Sequence, residues 1–299
     1  MIKTFSSSKE QYQWQYQGRE FTVAYETLGE GPPVLLLPAL STVSTRQEML
    51  GLAQVLTSEF QVVALDWLGF GESDRPNLNY ARYSRQTPSL YQQLVQDFIH
   101  AKFQEPVGLV GAGHGAAYAM RVAQNRPSDV SKLLMIAPTW KGPLRAMGMP
   151  GIVASGIRNL VRSPIVGQAL YALNTTPAFL KLMYRQHVYT NASLLTPEFM
   201  AEKRRIAQQP GARFAPAAFV TGGLDPMTSR KEFLEAARSL TVPTKVVIGE
   251  QSPRSSRAEM EALAQLPNID SSQIPGSLGM HEEYASPVGK IAKSFLREK

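Results

Sequence analysis

Short apolar runs without alternation punctuate the chain. They are Pro33-Val34-Leu35-Leu36-Leu37, Gln61-Val62-Val63-Ala64-Leu65-Asp66, Val107-Gly108-Leu109-Val110, Leu133-Leu134-Met135-Ile136-Ala137 and Thr244-Lys245-Val246-Val247-Ile248. Runs of this length suit strands covered on both faces, as in a parallel sheet. Residues 11–31, rich in Tyr, Trp, Phe, Val and Thr, predict a two-stranded hairpin closing near Gly29-Glu30-Gly31. Between the runs, Leu90, Leu94, Phe98 and Ile99 recur at helical spacing. Gly115 to Arg126 reads as a small-residue helix ended by Pro127, and Pro253 to Leu266 and Tyr284 to Arg297 read as two more. Alternating strand and helix predicts an α/β fold with a mostly parallel, doubly wound sheet. The alternation breaks near residue 141 and resumes near 243. The expected organisation is therefore a core of residues 1–140 and 226–299, interrupted by a helical cap, 141–225. The cap would sit above the C-terminal edge of the sheet, where ligands bind in such folds.

With 299 residues, 43% of them hydrophobic and 18% charged, the chain can bury a large core. This composition excludes a disordered, collagen-like or coiled-coil chain. Cysteine is absent, which removes disulfides, thiolate metal sites and a cysteine nucleophile. The four histidines are scattered, without metal-ligand spacing. Residues 1–8 lack the apolar core of a leader, and no apolar run is long enough to span a membrane. A cytoplasmic protein needing no cofactor is the expectation.

The net charge is +7, and its distribution changes the picture. Segment 141–225 carries ten Lys and Arg against three acidic residues, so it holds the whole excess. Within it, Ile152, Val153, Ile157, Leu160 and Val161 recur at helical spacing beside Arg158 and Arg162. One reading is a lid helix that packs this stripe on the core and leaves its arginines solvated. The other is a helix lying on an anionic membrane surface. Nucleic acid is not an expected partner, because the basic residues are not interleaved with stacking aromatics and no nucleic-acid-binding module is recognisable.

The third parallel run leads into Gly111-Ala112-Gly113-His114-Gly115-Ala116-Ala117. Gly111, Gly113 and Ala116 fit a dinucleotide-binding turn. That fold wants a carboxylate at the end of the next strand to hold the ribose, yet the next run ends Ile136-Ala137-Pro138-Thr139-Trp140. The alternative is the G-x-S-x-G nucleophile elbow. Ala64-Leu65-Asp66-Trp67-Leu68-Gly69-Phe70-Gly71-Glu72-Ser73-Asp74-Arg75-Pro76 resembles the D-x-x-G-x-G-x-S-x-x-P loop of the α/β-hydrolase superfamily. Val242 to Pro253 is similar to its V-P-x-x-x-x-x-G-x-x-D strand, and Pro275 to Glu283 to its terminal histidine loop. Leu35 to Leu40 occupies the place of its strand and His-Gly oxyanion turn. The resemblance covers residues 19–140 and 240–299 and implies an α/β-hydrolase fold with a cap.

The same resemblance exposes a degenerate triad. The nucleophile position is Gly113, the acid position Ser252 and the histidine position Leu278, while His281 matches the second, non-catalytic histidine of the loop. A hydroxyl, an imidazole and a carboxylate must act together in serine-type hydrolysis, so their loss points to released function. The expected product is a protein that binds an apolar small molecule or a protein partner, with an anionic membrane surface a further partner through the cap. Leu40, Gly113, His114, Trp140, Ser252 and His281 would face that ligand, with His281 a residual base. Two alternatives stay open: non-triad chemistry through His281 or His114, and a relocated nucleophile among Ser41, Ser44 and Ser252. Pro164-Ile165-Val166-Gly167 and Pro210-Gly211-Ala212-Arg213-Phe214 resemble caps of the cyanobacterial and chloroplast pheophytinase-like branch, which implies large apolar ligands. Five methionines in or beside the cap fit such a ligand or serve as core filler.

Overall fold

A computed structural model describes residues 9–298. Residues 1–8, read above for a leader, lie outside the described residues. Eight strands form one sheet: β1 (Glu10–Tyr16), β2 (Arg19–Leu28), β3 (Pro33–Leu37), β4 (Gln61–Leu65), β5 (Val107–Ala112), β6 (Val130–Ile136), β7 (Thr244–Gly249) and β8 (Asp270–Ile274). Their order is β1-β2-β4-β3-β5-β6-β7-β8. The pairs β1·β2 and β2·β4 are antiparallel, and the pairings from β4 through β8 are parallel. The expected α/β-hydrolase architecture is present.

Strands β3 and β5 are buried at every position, as their unbroken apolar runs require. Helices cover both faces. Leu50–Leu56 packs against Ala285–Arg297, whereas Leu90–Lys102 packs against Gly113–Asn125, which also touches Arg230–Arg238. Gly108 on β5 lets the last helix approach, because a Cβ there would lie 2.8 Å from Leu296 Cδ2.

Three elements differ from expectation. The hairpin closes at Gln17-Gly18, both in the left-handed region (φ 50° and 74°), rather than near Gly29-Glu30-Gly31. That two-residue turn matches the twist of the flanking strands. Strand β8 escaped the hydrophobic reading because it is a largely exposed edge, Asp270-Ser271-Ser272-Gln273-Ile274. The helix Arg230–Arg238 carries a capping signal that was overlooked: Ser229 accepts a hydrogen bond from the Glu232 N–H.

Beneath the sheet's C-terminal edge lies a buried ion network. Arg46 pairs with Asp66 after β4, Glu26 of β2 (2.7 Å) and Glu72 (2.7 Å). Asp66 also accepts the N–H groups of Arg46 (2.6 Å) and Glu72 (2.8 Å). Ser73 donates to the Asp66 carbonyl and accepts from the Ala24 N–H. Gly71 (φ 54°) allows the loop to wrap the carboxylate, since a Cβ there would fall 2.0 Å from Asp66 Cγ. The D-x-x-G-x-G-x-S resemblance thus corresponds to a loop that fixes backbone.

Between β6 and β7 the chain leaves the sheet through a series of helices that includes Gly151–Arg162, Val166–Asn174, Pro177–Met183, Pro197–Ala207 and Phe214–Val220. The lid-packing reading of the first of these fails on its outer face. Ile152 is 88% exposed, Val153 and Leu160 are also exposed, and only Ala154 is fully buried. Of the methionines, Met200 and Met227 are buried as core filler, whereas Met147 is exposed.

Candidate functional site

The turn from β5 into the helix Gly113–Asn125 keeps the shape of a nucleophile elbow. Gly113 holds φ 51°, a strained value for any residue with a side chain. Its glycine neighbour Gly115 is required by contact, because a Cβ there would lie 2.5 Å from the Pro38 carbonyl oxygen. In the direction a Gly113 side chain would take, the nearest groups are Ala39 Cβ (3.1 Å) and Thr139 Oγ1 (3.8 Å). A Cβ at Gly113 would press on Ala39, and glycine supplies no attacking atom.

The other positions compared with the triad sit as follows. Ser252 follows β7, is 7% exposed, and its Oγ has no hydrogen-bond partner. Leu278 is half-buried in the loop after β8. His281, three residues on, is buried, with Nε2 3.4 Å from Glu48 and Nδ1 without a partner. Its loop is tied to the helical insert: the Gly279 N–H donates to the Val188 carbonyl (2.9 Å), and Ser277 Oγ donates to the His187 carbonyl (2.8 Å). Leu40 and Trp140 belong to the main apolar core, where Trp140 stacks on Phe233 at 6.0 Å. Ser41 accepts from the Val43 N–H and Ser44 donates to the Ala39 carbonyl, so neither hydroxyl meets an imidazole.

Around Glu48 the insert is stapled to the core by charge. Lys203, from the helix Pro197–Ala207, lies 3.6 Å from Glu48 and 3.1 Å from Glu282. Its ammonium also lies over the rings of Phe199 (5.0 Å) and Tyr184 (5.7 Å). Burial alone would lower the Lys203 pKa; Glu282, Tyr184 and Glu48 outweigh it and hold it well above the usual lysine range.

One constellation was not legible in the sequence. Ala137 takes φ 42° at the end of β6 and turns the chain over the elbow, where the Thr139 N–H donates to the Gly113 carbonyl (3.1 Å). Thr139 Oγ1 then lies 2.8 Å from His114 Nδ1, and His114 Nε2 lies 3.5 Å from Asp225 Oδ1. The imidazole is buried and meets Phe219 edge-on at 4.9 Å. Asp225 is fixed by the Gly142 N–H (2.7 Å). A hydroxyl, an imidazole and a carboxylate are therefore in line beside Gly113, drawn from three different stretches of chain. Of these three, only His114 is assigned to the site by the sequence. Asp225 stands 111 residues from His114, and its sole signal was being one of three acids in a basic segment.

Comparison with known proteins gives the family. The model of the "Alpha/beta hydrolase family" matches residues 34–282. The chain belongs to the alpha/beta hydrolase family. Uncharacterized proteins of Mycobacterium bovis and Mycobacterium tuberculosis are 30% identical over 114 residues, 38% of this chain and 31% of their own length. The match thus spans about a third of those curated relatives. Among solved structures, a meta-cleavage product hydrolase (CumD) is similar with TM-score 0.73 and 17% identity, over 97% of this chain and 98% of that one. A putative alpha/beta hydrolase from Nostoc sp PCC 7120 has TM-score 0.70 and 20% identity, over 97% and 99%. A serine hydrolase involved in carbazole degradation has TM-score 0.68 and 18% identity, over 97% and 99%. At these identities the structural likeness speaks for the fold.

Proposed function

We propose that this alpha/beta hydrolase family member binds its ligand at the elbow without serine-type hydrolysis. The observation that carries the reading is Gly113, which keeps the elbow's φ of 51° and offers no attacking atom. The first N–H groups of the helix Gly113–Asn125 lack intrahelical partners, and its dipole favours negative charge there. A carbonyl or carboxylate head suits that cradle. Ala39 beside the elbow and Phe219 against His114 favour an apolar body.

The test is a fluorophosphonate probe together with p-nitrophenyl esters of short and long acyl chains. The expected result is no labelled residue and no turnover above heat-denatured protein. Labelling at Ser41, Ser44 or Ser252 would overturn the reading. Serine restored by Gly113→Ser is expected to fold at a cost of about 1–3 kcal/mol for a left-handed non-glycine residue. It should remain unlabelled, because the ring contacts of His114 are with Thr139 and Asp225 and that of His281 is with Glu48, so neither imidazole is held against residue 113. Rapid labelling of that variant would show a free base within reach of the elbow.

A second reading is favoured by the Thr139–His114–Asp225 alignment. His114 would take the Thr139 proton while Asp225 orients the ring, and Thr139 Oγ1 would attack an ester carbonyl held at the helix N-terminus. The C–O bond to the alcohol would break with the proton returned from His114, and water would then hydrolyse the acyl-threonine. It requires ester turnover lost in Thr139→Val, His114→Ala and Asp225→Asn alike, with a β-lactone probe mapping to Thr139. Without turnover, the alignment is a structural tether of the insert's end to the elbow.

A further inference from the structure

All ten large hydrophobic side chains left exposed among the described residues lie between Met147 and Leu194. The most exposed are Ile152 (88%), Ile165 (83%), Met147 (76%) and Leu173 (66%). They fall on or beside three consecutive helices, Gly151–Arg162, Val166–Asn174 and Pro177–Met183, each packed on the next. On the first, Ile152, Gly156 and Leu160 form one solvent-facing stripe at four-residue spacing, with Val153 beside it. A Cβ at Gly156 would meet nothing within 4 Å. A monomeric soluble protein rarely gathers its exposed apolar side chains into one segment without a partner.

The charge of the segment says which partner. Segment 141–225 holds ten basic and three acidic residues. Lys181, Arg185 and Arg204 are exposed and make no ion pair among the described residues. Lys181 and Leu182 are adjacent on one helix, so a cation and an apolar side chain reach outward together. Between that helix and Pro197–Ala207 lies a cleft of about 500 Å³. Pro177, Leu195 and Met200 give it an apolar lining, and Lys181 and Arg204 give it positive charge, whereas Arg205 is paired with Glu202. A second copy of this chain fits poorly, because a two-fold contact would oppose two equally basic faces. Among the described residues no helix is long and apolar enough to cross a bilayer, so the face would lie on the membrane rather than span it.

We propose that the outer face of the 141–225 segment docks on an anionic phospholipid bilayer. Ile152, Leu160, Ile165 and Leu173 enter the boundary between headgroups and acyl chains, and Lys181, Arg185 and Arg204 meet lipid phosphates. The cleft takes one headgroup with the start of its acyl chain. The proposal is independent of the chemistry at Gly113.

The test is co-sedimentation of the full chain with vesicles of phosphatidylcholine alone, or of phosphatidylcholine with phosphatidylserine. Binding is expected only to the phosphatidylserine vesicles and only at low salt, weakening as the Debye length falls from about 30 Å at 0.01 M to about 3 Å at 1 M. The variant Ile152→Asp/Ile165→Asp and the variant Lys181→Glu/Arg204→Glu should each bind at least about tenfold more weakly. Both change exposed side chains, so thermal unfolding should match the parent chain. Equal binding to both vesicle types, or binding to neither, would overturn the proposal. So would a dimer in sedimentation equilibrium that Ile152→Asp/Ile165→Asp dissolves while vesicle binding stays unchanged.

Discussion

Replacing Arg46 by methionine is expected to lower the unfolding free energy by about 3–5 kcal/mol, the usual cost of removing one partner from a buried ion network. The guanidinium is 1% exposed, and its principal partners, Asp66 and Glu26, are equally buried. Burial alone would depress the Arg46 pKa; the carboxylates of Asp66, Glu26 and Glu72 outweigh it and raise it above the ordinary arginine range. The charge is therefore fixed, and its loss leaves two carboxylates in the core. Burial already pushes the Asp66 carboxyl upward against the pull of Arg46. In the variant the guanidinium no longer opposes that push, and only the backbone N–H groups of residues 46 and 72 still do. A carboxyl whose folded pKa is raised above its unfolded value binds its proton more tightly in the folded state, so its destabilisation shrinks as pH falls. The deficit, read from urea midpoints, should be smaller at about pH 5 than at about pH 8. Arg46→Lys should fall between, since an ammonium keeps the charge but loses the fork that reaches three carboxylates. If the methionine variant is too unstable to purify, the lysine variant carries the test. A lysine variant equal in stability to the parent would refute the argument.

The second large effect is expected at Lys203. Its side chain is 6% exposed, between Glu48 at 5% and Glu282 at 22%. Lys203→Met should cost about 3–5 kcal/mol by leaving Glu48 buried without its ammonium partner, with only the His281 ring nitrogen beside it. The loss should be local in origin, with amide hydrogen exchange rising first in the 188–207 stretch, which Lys203 joins to the core. The pH dependence follows from the raised lysine pKa. The stabilisation is fully present below the unfolded value near 10.4 and fades only as pH rises through the higher folded value. The deficit should therefore hold constant from about pH 7 to about pH 9. Adding Glu48→Gln to Lys203→Met should recover part of it, because the uncompensated charge is gone. A double variant no more stable than the single one would mean that Lys203 acts through its contacts with Phe199 and Tyr184 instead.

The two networks share a design. Each places a cation where carboxylates from distant segments converge: β2 and the loop after β4 around Arg46, and the turn Arg46–Met49 with the segment after β8 around Lys203. The loop with Glu282 and His281 is thereby held by the insert on one side and by the core on the other. Charge pairing adds to the hydrogen bonds from Gly279 and Ser277 in fixing it, and the His281 imidazole presents Nε2 to Glu48 and leaves Nδ1 without a partner.

The layered architecture and the glycine at the turn after β5 are legible in the residues alone. Apolar runs at β3, β4, β5, β6 and β7 are sufficient because a strand buried on both faces must be apolar throughout, wherever it lies in the sheet. Gly113 is legible for a similar reason: a missing side chain is a local fact. The edge strand β8 was invisible, since an edge needs only one buried side chain. Only the tertiary structure decided which face of the basic helix Gly151–Arg162 meets solvent, because a periodic stripe records that a face is apolar and not what covers it. It alone brought Thr139, His114 and Asp225 into line, and Lys203 onto Glu48. Those contacts join residues far apart in the sequence, and hydrogen bonds and ion pairs act across a few ångströms of space whatever the distance along the chain.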